Sequence, residues 1–244
     1  IIDLGDLEFK GKKFQDVRTA FNHAKREGIR AQWASYPNLD EASKEQIQAI
    51  CQAWADEKAL PEMGFTLGGL REINDSDTRL LLALDEEERI HAVTSWMPVH
   101  SGGEVIGLTL DVMRRDDSGF RLAIDFLIGQ AALLAQDEGL QFISLSGAPL
   151  AESGQCEESA ELADSRFAFA PVLDVMGSVM EPVYGFRSLL AYKKKFQVRF
   201  VPLYLAIPDI ANAPAVGLAI AHAYLPNMSA VSAVGVAAKL VSRD

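Results

Sequence analysis

Residues 78–84, 90–99 and 104–113 read as three strands in direct succession, parted only by Asp85-Glu86-Glu87-Glu88 and Ser101-Gly102-Gly103. Turns this short join antiparallel neighbours, so the middle of the chain is committed to a mostly antiparallel sheet. Helical patterns lie on both sides of it. In residues 12–27, Phe14, Val17, Phe21 and Ala24 recur at helical spacing and Gly28 supplies a stop. Residues 29–36 read as a strand, and residues 38–40 as a cap for a helix over 41–56. Residues 120–136 form a strongly apolar helix ending near Gly139, and 141–146 another strand. Further on, 176–180 and 186–195 read as helices, 203–207 as a strand and 215–224 as a closing helix. Residues 61–69 and 151–164 read as loops. The expected fold class is α+β, a layered α/β arrangement with a mixed, mostly antiparallel sheet flanked by helices.

The 244-residue chain has the composition of a globular domain, with 49% hydrophobic and 23% charged residues and a formal net charge of -11. Against that acidity, no carboxylate occurs between Glu181 and Asp209, while Arg187, Lys193, Lys194, Lys195 and Arg199 sit among aromatic residues. Such a cluster suits a ligand that combines phosphate with apolar matter, a phospholipid headgroup or a nucleic-acid end. Cys51 and Cys156 fit neither a disulfide framework nor a CxxC pair, and the four histidines lack metal-ligand spacing, so neither a metal nor a cofactor is expected. No apolar run of about 20 residues exists. The chain begins at Ile1 rather than Met, which gives the expectation of an excised piece with any membrane domain upstream.

In residues 104–113, strict alternation puts Val105, Gly107, Thr109 and Asp111 on one face and Ile106, Leu108, Leu110 and Val112 on an apolar reverse face. Asp111 followed by Arg114 and Arg115 can hold an ammonium beside an anion, as an amino-acid ester requires; a surface salt bridge at a strand end fits the spacing equally. The Lys193-Lys194-Lys195 run reads either as a solvated helix end or as a source of charge for a phosphate or an oxyanion. Tyr184 and Tyr192 are candidate donors in the same cleft, or buried tyrosines with satisfied hydroxyls. The cations of 12–27, namely Lys12, Lys13, Arg18, Lys25 and Arg26, could track a nucleic-acid backbone or form a solvated face. Met63-Gly64-Phe65-Thr66-Leu67-Gly68-Gly69-Leu70 matches no nucleotide-binding pattern, and no GxSxG, HExxH or Cys/His nucleophile pair is present.

Five segments, read together, resemble the catalytic domain of the aminoacyl-phosphatidylglycerol synthases, the multiple peptide resistance factors. They are Gly11-Lys12-Lys13-Phe14-Gln15-Asp16-Val17-Arg18, Glu62-Met63-Gly64-Phe65-Thr66-Leu67-Gly68, Thr109-Leu110-Asp111-Val112-Met113-Arg114-Arg115, Ile124-Asp125-Phe126-Leu127-Ile128, and Tyr184-Gly185-Phe186-Arg187-Ser188-Leu189 running into Tyr192-Lys193-Lys194-Lys195-Phe196. The resemblance implies a GNAT-like acyltransferase fold, with residues 1–28 as the end of a first module plus a basic linking helix and 29–244 as the catalytic module. It implies transfer of an amino acid, lysine favoured and alanine open, from aminoacyl-tRNA to a glycerol hydroxyl of phosphatidylglycerol at the cytoplasmic face of a bacterial membrane. Asp111, Arg114, Lys193 and Lys195 then fall on catalytic positions. Tyr184, Phe186, Arg187, Tyr192 and Arg199 fall on substrate-binding positions, and Lys12, Lys13, Arg18, Lys25 and Arg26 on a tRNA-binding face. The missing Q/RxxGxG/A loop after residues 104–113 speaks against coenzyme A. Other expectations open at this point are another lipid acceptor such as diacylglycerol, an acetyl-CoA-dependent acetyltransferase, and a non-catalytic lipid- or RNA-binding module.

Overall fold

The computed structural model describes residues 1–56, 68–147 and 186–201, with isolated positions from 206 to 219; of Phe186 and Arg187 only the backbone is described. Tyr184, the helix expected over 176–180 and the loop over 151–164 lie outside the described residues, as does most of the expected strand 203–207 and helix 215–224. The chain divides into two compact units. One is Ile1–Lys58, Leu67–Gly147 and Tyr192–Arg199; the other is Ala59–Thr66, Ala148–Ala191 and Phe200–Asp244. The sheet lies in the first.

Six strands form that sheet: β1 (Ile2–Asp3), β2 (Arg30–Ala34), β3 (Arg79–Leu84), β4 (Ile90–Ser101), β5 (Glu104–Arg115) and β6 (Phe142–Ser144). Their order is β1-β6-β5-β4-β3-β2. All neighbours run antiparallel except β5 and β6, which are parallel over Gly107↔Phe142, Leu108↔Ile143 and Thr109↔Ser144. The parallel pair requires a crossover, and α4 (Ala123–Asp137) supplies it. The expected mixed, mostly antiparallel sheet is thus observed.

β3 is a nearly unbroken apolar run because both of its faces are covered. Leu81 and Ala83 join Trp96, Leu108, Leu110 and the buried side of α4 in one core, whereas Leu80, Leu82 and Leu84 join Ile47 and Ile50 of α2 (Glu41–Asp56) in another. Asp40 caps α2, its carboxylate accepting the Ser43 N–H at 2.7 Å. On the first face α1 (Gln15–Arg26) buries Val17, Ala20 and Ala24 against α4. Gly129 makes the close approach possible, since a Cβ there would lie 2.7 Å from the Phe21 ring.

Residues 1–28 therefore belong to the same unit as the sheet: β1 pairs with β6, and the apolar stripe of α1 closes the α4 core. The expected boundary at residue 28 does not follow the division into units, because that stripe would otherwise be left in water. The helix expected over 12–27 is a 3-10 turn, Lys12–Phe14, followed by α1. A short helix, α3 (Leu70–Ile73), occupies the end of the glycine-rich stretch. The last described helix is α5 (Phe186–Lys194). Among the described residues no helix is long and apolar enough to cross a membrane.

Candidate functional site

The register of β4 and β5 breaks where the chemistry was expected. Thr94 lies opposite Met113 and Trp96 opposite Leu110, so Asp111 and Val112 together face the single residue Ser95. This is a β-bulge, and it overturns the alternation expected for β5. Leu108 and Leu110 enter the α4-side core, but Val112 enters the α2-side core. Asp111 and Arg114, an odd number of residues apart, would fall on opposite faces of a regular strand. The extra residue turns both toward α2.

Asp111 is half-buried and its Oδ1 accepts the Gly68 N–H at 3.0 Å. Gly68 must be glycine here, because a Cβ would stand 1.7 Å from the other carboxylate oxygen. Burial dominates the Asp111 titration and pushes its carboxyl above the ordinary value; Glu72 adds to this, and the Gly68 N–H and the Arg114 guanidinium only partly oppose it. Arg114 is buried, donates to the Met113 carbonyl at 2.9 Å, and lays its guanidinium 3.4 Å over the ring of Trp54 from α2. Arg115 pairs instead with Asp117. Among the described residues the hydrogen bond that closes on Asp111 is the one from Gly68, with Arg114 near enough to draw its titration down.

The three lysines at the end of α5 have three different surroundings. Lys194 is exposed, as a solvated helix end would be. Lys193 is 6% exposed and reaches the carbonyls of Gly147 at 2.7 Å and Ser146 at 3.4 Å, just past β6. Ser146 adopts a left-handed conformation, φ 65°, which turns the chain there. No carboxylate among the described residues partners Lys193, and burial lowers its pKa to about 8. Lys195 pairs with Asp125 of α4 at 3.3 Å and lies 4.8 Å over the Tyr192 ring. Tyr192 packs edge-on against buried Phe196, and its buried hydroxyl makes no closed hydrogen bond. Burial, together with the nearby Asp125 carboxylate, holds the phenol proton well above its ordinary range.

Asp111, within β5, and the Ser146 and Gly147 carbonyls that Lys193 contacts all lie just past the last pairs between the parallel strands β5 and β6. Pairing between those strands stops at Thr109↔Ser144, and each group lies at or just beyond the next level. They approach from the two faces, Asp111 from the α2 side and Lys193 beside the α4 core that holds Phe196. Arg199 is elsewhere: its guanidinium grips Asp3 of β1 through two bonds of 2.9 and 2.7 Å, and its backbone pairs with Ile1. Its described contacts tie it to residues 1–3 and not to Asp111, Arg114 or Lys193. Lys12, Lys13, Lys25 and Arg26 are exposed along the first helical segment, while Arg18 bends back to the Gly11 carbonyl. The Tyr184, Phe186 and Arg187 side chains are outside the described residues.

Sequence pattern alone does not assign roles to Gly68, Ser95 or Asp125. The glycine-rich stretch carries a weak signal, but only contact with a strand far along the chain gives Gly68 a role. Asp125, a carboxylate in an otherwise apolar helix run, is the more visible one.

The family model described as phosphatidylglycerol lysyltransferase, C-terminal, matches residues 1–207. A protein of Corynebacterium glutamicum is 44% identical over 225 residues, covering 92% of this chain and 28% of that protein. The lysylphosphatidylglycerol biosynthesis bifunctional protein LysX of Nocardia farcinica is 26% identical over 233 residues, 93% of this chain and 20% of that protein. The chain thus spans less than a third of the length of either relative. The structure of L-PGS from Bacillus licheniformis superposes with a TM-score of 0.70 at 21% identity, covering 91% of this chain and 64% of that one. The C-terminal domain of a putative lysylphosphatidylglycerol synthetase from Agrobacterium fabrum gives 0.66 at 21%, covering 91% and 63%. These two likenesses establish a shared fold. Taken with the match over residues 1–207, they make this chain a member of the phosphatidylglycerol lysyltransferase C-terminal family.

Proposed function

We propose that this chain carries the transferase site that moves an amino acid, lysine first and alanine second, from aminoacyl-tRNA onto a glycerol hydroxyl of phosphatidylglycerol. The observation that carries the reading is the bulge in β5, which sets a half-buried carboxylate and a buried guanidinium on one face, just past the end of the pairing between β5 and β6. In this reading Asp111 holds the α-ammonium of the amino acid. Arg114 holds phosphate. Lys193, buried beside carbonyls alone, supplies positive charge where the ester carbonyl becomes an oxyanion. Lys195 and Tyr192 line the approach, and the resemblance assigns substrate binding to Tyr184, Phe186 and Arg187 as well.

The glycerol oxygen attacks the ester carbonyl and gives up its proton, which ends on the departing ribose oxygen. The tetrahedral oxyanion then collapses, the bond to the ribose oxygen breaks, and that oxygen is protonated. One ester replaces another, so the protein contributes positioning and charge rather than energy. Lys12, Lys13, Lys25 and Arg26 face water and suit the phosphates of the tRNA donor, with Arg18 bracing the turn before them. Because the donor is cytoplasmic and the acceptor lies in the bilayer, the reaction belongs at the cytoplasmic membrane surface.

The test incubates the chain with labelled lysyl- and alanyl-tRNA and vesicles of phosphatidylglycerol, phosphatidylcholine or diacylglycerol mixtures. Label in phosphatidylglycerol is the expected result. Label only in diacylglycerol changes the acceptor, and no lipid label from any donor overturns the reading.

A further inference from the structure

We propose that Ser95 and Gly68 are positioning residues for Asp111, Ser95 locking the β5 bulge and Gly68 fixing the direction of the carboxylate; this rests on the transferase reading above. A bulge places two residues against one and leaves a backbone N–H without its ladder partner. Here the orphan is the Val112 N–H, and the Ser95 hydroxyl accepts it at 2.9 Å. Ser95 is fully buried, so no water can take over. Its flanking residues are fixed as well. The Trp96 indole N–H donates to the Thr94 hydroxyl at 2.9 Å, and that hydroxyl donates to the Leu81 carbonyl at 3.4 Å.

The hydroxyl therefore decides between two registers. With it, the Val112 N–H has an acceptor. Without it, the buried Val112 N–H is stranded with no acceptor. A regular ladder becomes the better alternative, and a one-residue slip sends every later side chain of the strand to the other face. Asp111 and Arg114 would then part. Gly68 acts from the opposite side. Its N–H fixes one carboxylate oxygen, and its missing side chain leaves the space the other oxygen fills. The two residues thus hold the carboxylate from below, through the backbone, and from above, directly.

The experiment compares the native chain with Ser95→Ala, Ser95→Thr and Gly68→Ala. It follows lipid transfer, the carboxyl titration of Asp111 by ¹³C NMR, and hydrogen exchange at the Val112 amide. Ser95→Ala is expected to lower kcat about a hundredfold, the scale of a misplacement near 1 Å, and to leave the KM for tRNA unchanged. It should also speed Val112 exchange and return the Asp111 titration toward the ordinary carboxylate value as the group turns out to water. Ser95→Thr, which keeps the hydroxyl, should restore the slow exchange and the raised titration. Gly68→Ala should shift the Asp111 titration while Val112 exchange stays slow. If Ser95→Ala fails to fold, Gly68→Ala decides.

An unshifted Asp111 titration in folded Ser95→Ala or Gly68→Ala overturns the proposal. A native chain that labels no lipid overturns the transferase reading instead, and the titration and exchange still test the clamp.

Discussion

The sheet contains two bulges with buried ionisable groups, and they differ in how completely those groups are satisfied. At the first, between β3 and β4, His91 is the extra residue, since Ala83 faces Ala92 and Leu84 faces Ile90. Both of its ring nitrogens are used: Nε2 meets the Asp85 carboxylate at 2.9 Å, and Nδ1 accepts the Phe120 N–H at 2.9 Å. Burial pulls Asp85 upward, but bonds from His91 and from the Arg89 and Glu87 amides outweigh it, leaving the carboxyl below 3.8. At the second bulge Asp111 has one described N–H donor and is held above its ordinary value, and Lys193 beyond the neighbouring strand end is held below its own. The first bulge is closed. At the second, no oppositely charged side chain among the described residues hydrogen-bonds Asp111 or Lys193, which suits the charged substrate proposed above.

Changing Asp111 is the strongest way to break this contrast. Asp111→Asn is expected to lower transfer about a hundredfold or more, the scale of losing one partner of a desolvated ion pair. Stability at pH 7 should hold or rise. The sign follows from the raised carboxyl: the folded state binds that proton more readily than the unfolded one, so ionised Asp111 costs stability at neutral pH, and the substitution removes the cost. Transfer by the native chain should rise with pH through that same raised value. A large drop in melting temperature for Asp111→Asn would place the residue among the structural ones.

Lys193 sharpens the contrast from the other side. Lys193→Met should slow transfer about a hundredfold, the low end of what one lost oxyanion donor costs, and raise thermal stability at pH 7 by about 1–3 kcal/mol. Protonated Lys193 is disfavoured in the fold, so the native chain gains stability as pH climbs from about 8 toward 10.5, and the advantage of methionine fades over that window. Melting curves at pH 7 and pH 10 check it. Methionine destabilising at both would mean that the ammonium serves only to tie α5 to β6.

His91→Ala tests the closed bulge, with the opposite outcome expected. It strands the Phe120 N–H and removes a partner of Asp85, so a loss of about 1–3 kcal/mol in urea unfolding is expected, with kcat of the folded protein unchanged. The Asp85 contribution is present at neutral pH and is lost only as pH falls below about 4, because its folded value lies under 3.8. A selective loss of transfer would move His91 into the chemistry.

Much of this organisation was legible in residues. The meander of β3, β4 and β5 follows from alternation and short charged turns, and α1, α2 and α4 from apolar spacing and caps. What alternation could not give is where it stops. Nothing in Leu110-Asp111-Val112-Met113 marks a bulge, because a bulge is a negotiation between two strands, and its signal, Ser95, is on the other one. For the same reason β1, two residues long, is visible only through its partner β6. The cations between residues 181 and 209 formed a cluster by composition, yet the fold sorts them. Arg199 goes to Asp3, Lys195 to Asp125, Lys194 to water and Lys193 to two carbonyls. Composition counts charges, and only packing assigns their partners.

The smallest expected effect decides what closes the first bulge. Arg89 sits on its outer rim and donates to Asp116 at 2.5 Å and to the Ser118 hydroxyl at 2.8 Å, with about half of its side chain in water. An ion pair this exposed contributes about 0.2–1 kcal/mol, less at high salt. Beneath it the Asp116 N–H donates to the His91 carbonyl at 2.9 Å, a bond that does not depend on the arginine. Arg89→Ala should therefore cost under ~1 kcal/mol in urea unfolding, lose that difference in high salt, and leave transfer unaltered. If Arg89→Ala matches His91→Ala in cost, the bulge is held by its surface charges rather than by the buried ring, and its contrast with the Asp111 bulge becomes one of exposure instead of hydrogen-bond satisfaction.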